Sequence, residues 1–508
     1  MLGGKKHQTN TGWLVSDSNF LSLDQLKLQH HYADLGPVFG TSLPPTPLQN
    51  PHVIHVNPTV MELLGIDPRE ATNPDWALLG SGAKLFPGSV PFSMKYTGHQ
   101  FGSYNPELGD GRALLLGEVE RNGKRWDLHL KGAGQTPYSR FGDGRAVLRS
   151  TIREYLAGEA LTALGIRSTR ALCMVGSQEP VAREKLETGA ALIRVARSHI
   201  RFGHFEYLFY TRQLEAQHRL VEFVCAQFLP EFVDKPVQEQ AEALLRFTVK
   251  RSAELVAGWQ SVGFAHGVLN TDNMSIIGDS FDFGPYGFLD DYEPGFICNH
   301  SDHTGRYAFD AQPGVVLWNL NALAHAFSSL LNVETLKDCL GQYQPLLIEF
   351  YSGLMRRKLG LALEDEGDQQ LCADLMELLE SGRVDYSLFF RALSRYCGER
   401  PATALEELVS PSQHEALTSW LSRYDQRLQK ESRSPEQRSR DMLRTNPKFV
   451  LRNYLAQRVI EAAEAGDFQP LRTFFDLLQT PFDEHPGFES WAAAPTELGK
   501  HLPISCSS

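Results

Sequence analysis

The chain has 508 residues, of which 42% are hydrophobic and 22% are charged, and a formal net charge of −12. Its length exceeds the roughly 250 to 300 residues at which one hydrophobic core stops growing, so at least two lobes are expected. The acidic balance excludes a duplex nucleic-acid binder, and no apolar run reaches the ~18 residues of a membrane span. We therefore expect a monomeric, cytoplasmic protein without nucleic-acid or membrane partners.

The first third of the chain predicts an extension followed by a β-hairpin. Residues 1–90 are rich in Pro, Asn and Ser and contain a short helical pattern from Pro58 to Gly65, which is typical of an extension wrapped on a larger body. Two apolar runs follow at residues 113–119 and 125–131, with Asn122-Gly123 between them. Asn-Gly between two such runs predicts a hairpin.

The rest of the chain is mainly helical in pattern. A helix is predicted over residues 146–165, with Gly165 as its stop signal. Helical patterns then dominate from 207 to 259 and from 312 to about 480. The charged residues 429–444 fit either a linker or a solvated turn between helices. The order predicts a small mixed lobe followed by a large helical lobe.

A pattern typical of kinase-like catalytic loops begins at His266. Asn273 follows seven residues later, and Asp282-Phe283-Gly284 begins nine residues after that Asn. Mg²⁺ prefers such carboxylate and amide oxygens, and transfer of a phosphorus group to a hydroxyl also needs a carboxylate near the attacking oxygen. A protein kinase carries that Asp two residues after the His, where this chain has Val268. The nearest carboxylate is Asp272.

Cations suited to nucleotide phosphates lie upstream of this loop. Lys131 ends the second predicted strand and Glu154 lies on the following helix, where the two can form an ion pair that holds the Lys on phosphates. Arg194 and Arg201 lie seven residues apart and can clamp phosphate oxygens. In a chain of net charge −12, this concentration of cations indicates a polyanionic ligand.

Two Gly-Asp-Gly-Arg turns, at residues 109–112 and 142–145, replace the glycine-rich loop of a kinase. Taken singly, these features have common structural explanations, as a tight turn, a chance Asp-Phe-Gly, a surface pair or a helix cap. Their occurrence in one order favours a nucleotide site. The sequence thus predicts an α+β, protein-kinase-like, two-lobed fold, divided into an extension (1–90), a small β-rich lobe (91–205), a large helical lobe (206–425) and a C-terminal helical extension (426–508).

The cysteines and histidines give a weaker signal. Seven cysteines without a Cys-x-x-Cys pair argue against a disulfide scaffold or a zinc ribbon. Residues 298–303 (Cys-Asn-His-Ser-Asp-His) resemble a metal cluster, but a matched Cys pair and a fourth ligand are missing. We interpret them as a loop.

Four stretches, at residues 96–118, 128–156, 266–290 and 446–457, resemble the selenoprotein O family (SelO/YdiU), which are kinase-fold protein adenylyltransferases. The resemblance extends over nearly the whole chain. It implies that ATP lies reversed relative to a kinase, so that AMP is transferred to Ser, Thr or Tyr hydroxyls of other proteins and pyrophosphate is released. It also implies Mg²⁺ as cofactor, with Mn²⁺ and other nucleotides such as UTP used by some members.

The same resemblance implies roles for residues of this chain. Asp272 would be the base that takes the hydroxyl proton, and Asn273 and Asp282 would hold Mg²⁺. Glu154 would fix Lys131 on the phosphates. The other positions implied to bind the nucleotide, together with Lys131 and Asp282, are Gly109, Gly111, Arg112, Asp143, Gly144, Arg194 and Arg201.

Some relatives carry selenocysteine near the C-terminus, where this chain has Cys506. We hypothesise a reversible disulfide between Cys506 and Cys298, against the alternative of two unlinked thiols. Two alternative functions also stay open. A kinase-type phosphotransferase is disfavoured by Val268, and an inactive ATP-binding scaffold by the presence of Asp272 and both expected metal ligands.

Overall fold

The computed structural model describes residues 20–500 and residue 502. Its strands are β1 (Gly40–Ser42), β2 (His52–Val56), β3 (Phe92–Met94), β4 (Gly98–Gln100), β5 (Ser103–Asn105), β6 (Ala113–Arg121), β7 (Lys124–Lys131), β8 (Ala146–Val147), β9 (Arg170–Ala182), β10 (Leu186–Ala196), β11 (Phe264–Ala265) and β12 (Gly287–Phe288).

Its α-helices are α1 (Pro58–Leu64), α2 (Asp75–Ser81), α3 (Leu148–Ala163), α4 (Phe202–Tyr210), α5 (Leu214–Phe228), α6 (Val237–Val262), α7 (Gln312–Ala326), α8 (Val333–Gly341), α9 (Tyr343–Lys358), α10 (Asp368–Gly382), α11 (Tyr386–Leu393), α12 (Thr403–Glu406), α13 (His414–Leu428), α14 (Pro435–Leu443), α15 (Asn453–Glu464) and α16 (Gln469–Gln479).

Eight strands form one antiparallel sheet, in the order β1-β3-β6-β7-β10-β9-β2, with β8 paired to β10. Two further hairpin-like pairs, β4-β5 and β11-β12, lie outside this sheet. After β10 the elements of the described chain are helices, apart from the short strands β11 and β12, and a long loop region lies between α6 and α7. The mixed architecture of a sheet and many helices expected from the sequence is confirmed.

The predicted hairpin and the helix after it are both present. Strands β6 and β7 pair with Arg121 opposite Lys124, and Asn122 and Gly123 have φ angles of 51° and 67°. Such left-handed angles at both turn residues match the right-handed twist of the flanking strands. Helix α3 ends at Ala163, just before the predicted stop.

The two faces of β7 have different partners because successive side chains point to opposite sides of a strand. Leu128 and Leu130 pack in an apolar cluster with side chains from before residue 90, among them Val60 and Trp76. The other face carries His129 and Lys131, both buried. At β7 the sheet is therefore covered on one side by apolar residues and presents His129 and Lys131 on the other.

The residues before 90 also contribute strands of their own. Strand β2 pairs with β9, and β1 pairs with β3 at the other edge of the sheet. The predicted short helix is present as α1, with Asn57 as its N-cap and Gly65 at its C-terminus. The domain boundaries given above stay a prediction.

The charged residues 429–444 contain a helix. Helix α14 begins after the N-cap Ser434, and its Met442 is buried. The segment is thus partly packed rather than a solvated linker. None of the helices in residues 20–500 is both long and apolar enough to cross a membrane.

Candidate active site

A cavity of about 780 Å³ lies where the charged face of the sheet meets the loops that follow α6. Among the residues that line it are all those to which the sequence assigned catalysis, metal binding or nucleotide binding, namely Gly109, Gly111, Arg112, Lys131, Asp143, Gly144, Arg194, Arg201, Asp272, Asn273 and Asp282. Glu154 lies behind this wall, in contact with Lys131. Residues far apart in sequence therefore meet in one place.

Glu154 on α3 pairs with two cations from neighbouring strands. Its Oε2 accepts from Lys131 on β7, and its Oε1 accepts from Arg194 on β10. Leu192 on β10 lies opposite Lys131 on β7, and Arg194 lies two residues after Leu192. Lys131 and Arg194 are therefore on the same face of adjacent strands, the face that meets α3. All three side chains are buried, which holds them in a fixed arrangement.

Asp282 is bound by two arginines. Arg194 Nη2 lies 2.8 Å from Asp282 Oδ1, and Arg201 forms an ion pair with Oδ2. Asp282 has a φ of 58°, in the left-handed region that Asp and Asn adopt more readily than most residues. This backbone geometry brings its carboxylate to the arginines on the sheet side of the cavity.

Arg201 connects the sheet side of the cavity to the loop that carries Asp272. Its Nη1 donates a hydrogen bond to the backbone carbonyl of Asp272 at 2.5 Å. The guanidinium lies between the rings of Tyr96 and Phe281, at 4.7 and 4.6 Å from their centroids. Stacking between two rings restricts the rotamers of a long side chain, so Arg201 is positioned before any ligand binds.

The loop after α6 is fixed by hydrogen bonds within itself. His266 Nε2 lies 3.0 Å from the carbonyl oxygen of Phe281, and Asn273 Nδ2 donates to the carbonyl of Val268 at 3.1 Å. His266 therefore holds the loop against the segment before Asp282. The short turn Thr271–Asn273 presents Asp272 and Asn273 on the cavity wall.

The hairpin formed by β4 and β5 grips this loop from the other side. Gln100 Nε2 donates to Asp272 Oδ2 at 3.2 Å, and the backbone N–H of His99 donates to Thr271 Oγ1 at 2.7 Å. The N–H of Phe101 donates to Asn270 Oδ1 at 3.3 Å. These contacts were not predicted from the sequence, because Gln100 carries no charge and belongs to no kinase motif.

The two Gly-Asp-Gly-Arg turns pack closely where side chains would clash. A Cβ on Gly144 would lie 2.0 Å from the backbone of Gly134, and one on Gly111 would lie 2.8 Å from the carbonyl oxygen of Tyr138. Both turns therefore require glycine to form the rim of the cavity. On this rim Asp143 forms an ion pair with Arg183, in which Oδ2 lies 2.7 Å from Nη1.

Comparison with known proteins agrees with this geometry. The family model described as protein adenylyltransferase SelO matches residues 22–479. The chain is 51% identical over 490 residues to the protein nucleotidyltransferase YdiU of Pseudomonas entomophila, an alignment that covers 96% of this chain and 100% of that protein. The YdiU proteins of Pseudomonas fluorescens and Pseudomonas putida are 51% and 50% identical, again over 96% of this chain and their full length.

The chain belongs to the SelO protein adenylyltransferase family. The resemblance found in the sequence is confirmed, and so is the enzyme class, since members of this family are nucleotidyltransferases. The electrostatics of the site in this SelO family member differ from one charged residue to the next.

Burial changes the proton affinity of Asp272. Its carboxyl group is 8% exposed, and burial raises its pKa to about 7, against an opposing effect of Arg201 and a further upward effect of Asp282. Oδ1 is buried without a hydrogen-bond partner among the described residues. A carboxyl group with a pKa near neutrality is suited to exchange a proton with a hydroxyl at neutral pH.

Two charged groups beside Asp272, Lys131 and Asp282, respond differently to burial. Burial lowers the pKa of Lys131 to about 8, although the Glu154 carboxylate acts in the opposite direction. For Asp282 burial favours the neutral form, but Arg201 and Arg194 outweigh it and hold the pKa well below its usual range. Asp282 is therefore ionised at neutral pH, as a metal ligand must be.

A buried acid–base pair beneath Arg201 was missed in the sequence. Asp110, between the glycines of the first turn, accepts from His129 Nε2 at 2.9 Å and lies 4.0 Å from Arg201 Nη2. The spacing of His129 and Lys131, two residues apart on one strand, was the available signal, because such residues share a face. The pair lies directly under the cation that holds Asp282.

The cysteine and metal-cluster interpretations have different outcomes. Within residues 20–500 no group of three or more His, Cys, Asp or Glu side chains is arranged to hold a metal ion. Asp302 instead accepts from the backbone N–H groups of Arg306 and Tyr307, so residues 298–303 form a loop as interpreted. Cys298 is buried, whereas Cys506 lies outside the described residues, and their disulfide stays a prediction.

Proposed function

We propose that the chain transfers AMP from ATP to Ser, Thr or Tyr hydroxyls of other proteins and releases pyrophosphate, in a cleft of protein-kinase-like, two-lobed form. One observation carries the proposal. Among the described residues, the cavity that holds Asp272 is lined by seven Arg or Lys side chains and only four Asp side chains, in a chain of net charge −12. An excess of cations favours binding of a triphosphate, and a carboxyl group with a pKa near neutrality can act as a base beside it.

The proposed transfer assigns a step to each of these groups. Asp272 accepts the proton of the acceptor hydroxyl, and the hydroxyl oxygen forms a bond to the α-phosphorus of ATP. The bond between the α-phosphorus and the oxygen that bridges it to the β-phosphorus breaks, and the electron pair leaves with pyrophosphate. Lys131, Arg194 and Arg201 stabilise the negative charge that develops on the phosphate oxygens.

Asn273 and Asp282 are the residues that would hold a divalent cation. Both line the cavity, and Asp282 is ionised. Mg²⁺ is usually held by one or two carboxylates together with substrate phosphates, so a site completed by ATP fits this small donor set. When bound, the ion supplies positive charge that polarises the phosphates. The same oxygen donors suit Mn²⁺, and we extend the proposal to UTP as a second nucleotide.

Transfer of AMP rather than of the γ-phosphoryl group is supported by two observations. Position 268, where a protein kinase carries its catalytic Asp, is Val and lines the cavity without a carboxylate. The curated relatives are named nucleotidyltransferases, and they match this chain over their full length. The proposed acceptor base is therefore Asp272.

Labelled ATP tests the proposal directly. The full chain is incubated with Mg²⁺, a mixture of acceptor proteins and ATP labelled at either the α- or the γ-phosphorus. We expect protein-bound label from the α position alone, with a mass increase of one AMP on the modified peptides. Label from the γ position would identify a kinase, and no label from either would identify a scaffold. Asp272→Asn serves as the control, and its labelling should fall close to background.

A further inference from the structure

An aromatic surface adjoins the cavity on the side of Asp272. We call it the acceptor face and define it by Phe101, Tyr104, Tyr210 and Trp318. Three of these side chains are unusually exposed for their type, with 45% of Phe101, 40% of Tyr210 and 37% of Trp318 accessible. Single exposed apolar side chains are normal on a protein surface, but contiguous apolar patches mark interaction sites, and aromatic residues are enriched in interfaces.

The acceptor face is continuous in ring contacts. Tyr104 and Tyr210 have ring centroids 4.3 Å apart, and His99 lies 5.3 Å from both Tyr104 and Trp318. On the other side Phe101 contacts Tyr307 with centroids 5.0 Å apart. The defining rings come from the turn between β4 and β5, from β5, from α4 and from α7, so this surface is built by tertiary structure and not by one segment.

Arg306 connects the group of rings around Trp318 to the pair formed by Phe101 and Tyr307. Its guanidinium lies 5.0 Å from the ring of Trp318 and 5.8 Å from that of Tyr307. A cation stacked on rings keeps them oriented while leaving their outer faces accessible. The two halves therefore form one surface.

This surface begins at the cavity itself. Phe101 lines the cavity and is also part of the acceptor face, and its neighbour Gln100 holds Asp272 Oδ2. Of the cations assigned to the phosphates, Lys131 and Arg194 lie on the sheet and Arg201 precedes α4, whereas this surface lies on the hairpin and on the far end of α4 and on α7. An acceptor segment lying on this surface would therefore reach the cavity beside Asp272.

Strand β5 offers backbone groups to such a chain. Within residues 20–500 it pairs with β4 and with no other strand. His99 lies opposite Tyr104 in this pair, and the His99 N–H turns outward to Thr271. Two opposed residues of an antiparallel ladder turn their backbone groups either both toward each other or both away from each other. Since His99 turns away from β5, Tyr104 turns its N–H and C=O away from β4, to the open edge. Extended peptides bind at open edges of this kind.

The geometry points to the acceptor face as the docking site for an extended segment of the acceptor protein, with aromatic or branched aliphatic side chains beside the hydroxyl that is modified. The inference rests on the proposed function. A strand of three residues supplies few hydrogen bonds, so the rings must provide most of the affinity. The site would therefore select by neighbouring side chains as well as by the hydroxyl.

Synthetic nonapeptides with a central Ser, Thr or Tyr and randomised flanking positions test this inference. The variant combines Tyr210→Ser with Trp318→Ser, and Phe488→Ser is the matched control because Phe488 is 38% exposed and lies outside the cavity lining. For the wild type and the control we expect preferential labelling of peptides with apolar flanking residues. For the double variant we expect loss of that preference and a KM for peptide higher by about tenfold or more, with unchanged ATP affinity.

A binding measurement separates docking from transfer. Fluorescence anisotropy of the same peptides is measured with Asp272→Asn protein saturated with ATP, with and without the two Ser substitutions. Weaker binding caused by the Ser substitutions supports the acceptor face even if the wild type transfers no label, a result that would count against the proposed function alone. Equal peptide binding with and without those substitutions, or equal flanking preference, overturns the docking inference.

Discussion

Gln100 donates a hydrogen bond from Nε2 to Oδ2 of Asp272 across 3.2 Å. The two residues are 172 positions apart, and Gln100 lies on β4 whereas Asp272 lies in the loop after α6. Oδ1 of the same carboxylate has no hydrogen-bond partner in the described part of the chain. One oxygen of the proposed base is thus anchored, whereas the other is a buried acceptor left unsatisfied by the described residues.

Gln100→Ala should shift the pH dependence of transfer. A hydrogen bond to a carboxylate favours its ionised form, so losing the Gln100 amide raises the pKa of Asp272 above its present value of about 7. The acid limb of kcat against pH should move upward by a few tenths of a unit to about one unit. Gln370→Ala is the matched control, because Gln370 donates to Asp374 at 2.7 Å on exposed α10. An acid limb at the wild-type pH would remove the positioning role of Gln100.

Asp272→Asn should abolish most transfer but keep nucleotide binding, because a base acts mainly in the transition state. In the wild type, activity should rise with pH through about 7 as Asp272 loses its proton. Measured kcat and the dissociation constant for ATP, each across pH 5.5 to about 8.5, check both statements. A variant that turns over at the wild-type rate would exclude Asp272 as the base.

The same substitution should stabilise the protein at alkaline pH. The folded pKa of Asp272 is about 7, above its ordinary value of 3.8, so between these values the folded state holds a proton that the unfolded state has released. The free energy of unfolding therefore falls as pH rises through this window. Asn removes that cost, which is at most about 4 kcal/mol. Thermal unfolding at pH 8 should show a higher Tm for Asp272→Asn than for wild type, and a smaller gap at about pH 4.

Glu154→Gln should weaken ATP binding and stability together. The change leaves Lys131 and Arg194 buried beside each other without their shared carboxylate, a loss of about 3 to 5 kcal/mol. Denaturant unfolding and ATP titration measure the two effects. Glu187→Gln is the control, since that buried carboxylate pairs with Arg149 away from the cavity lining, and its ATP affinity should match wild type. Unaltered ATP affinity in Glu154→Gln would contradict the assignment of Lys131.

Asp282→Asn should remove metal-dependent transfer without unfolding the protein. Asn tolerates the left-handed backbone at this position, where φ is 58°, but supplies a neutral and weaker oxygen ligand. Transfer measured against Mg²⁺ concentration should fall by about a hundredfold or more at saturating ATP. Asp279→Asn is the control, because Asp279 pairs with Arg167 at 3.0 Å and lies outside the cavity lining. Full activity of Asp282→Asn would exclude this carboxylate as a metal ligand.

Local signals in the sequence predicted the local structure well. Asn122-Gly123 determined the hairpin of β6 and β7 because both residues accept left-handed backbone angles, and Gly165 marked the end of α3. The order of Lys131, Glu154 and the Asp-Phe-Gly motif identified the charged groups of the cavity, since their chemistry is fixed by residue type. These features need only neighbours in the chain.

Other features depended on contacts that no local pattern reports. Strand β2 joins the sheet through β9, more than a hundred residues later. This pairing satisfies the backbone groups at the edge of β9, and the sequence of residues 52–56 does not indicate which strand they pair with. Arg194 and Arg201 appeared in the sequence as phosphate clamps, but they are also ion-paired to Glu154 and Asp282. The acidic partner of a cation is whichever carboxylate lies close to it in the folded structure, whatever their separation in sequence.

The sequence by itself determined the family, the enzyme class, the hairpin and helix that carry Lys131 and Glu154, and the identity of the charged groups. Only the tertiary structure decided that Gln100 anchors Asp272, that Asp110 and His129 lie under Arg201, and that rings from four elements form one surface beside the base. The physical reason is that periodicity and turn chemistry act between near neighbours, whereas burial raises a pKa or pairs a charge only after distant segments have packed together.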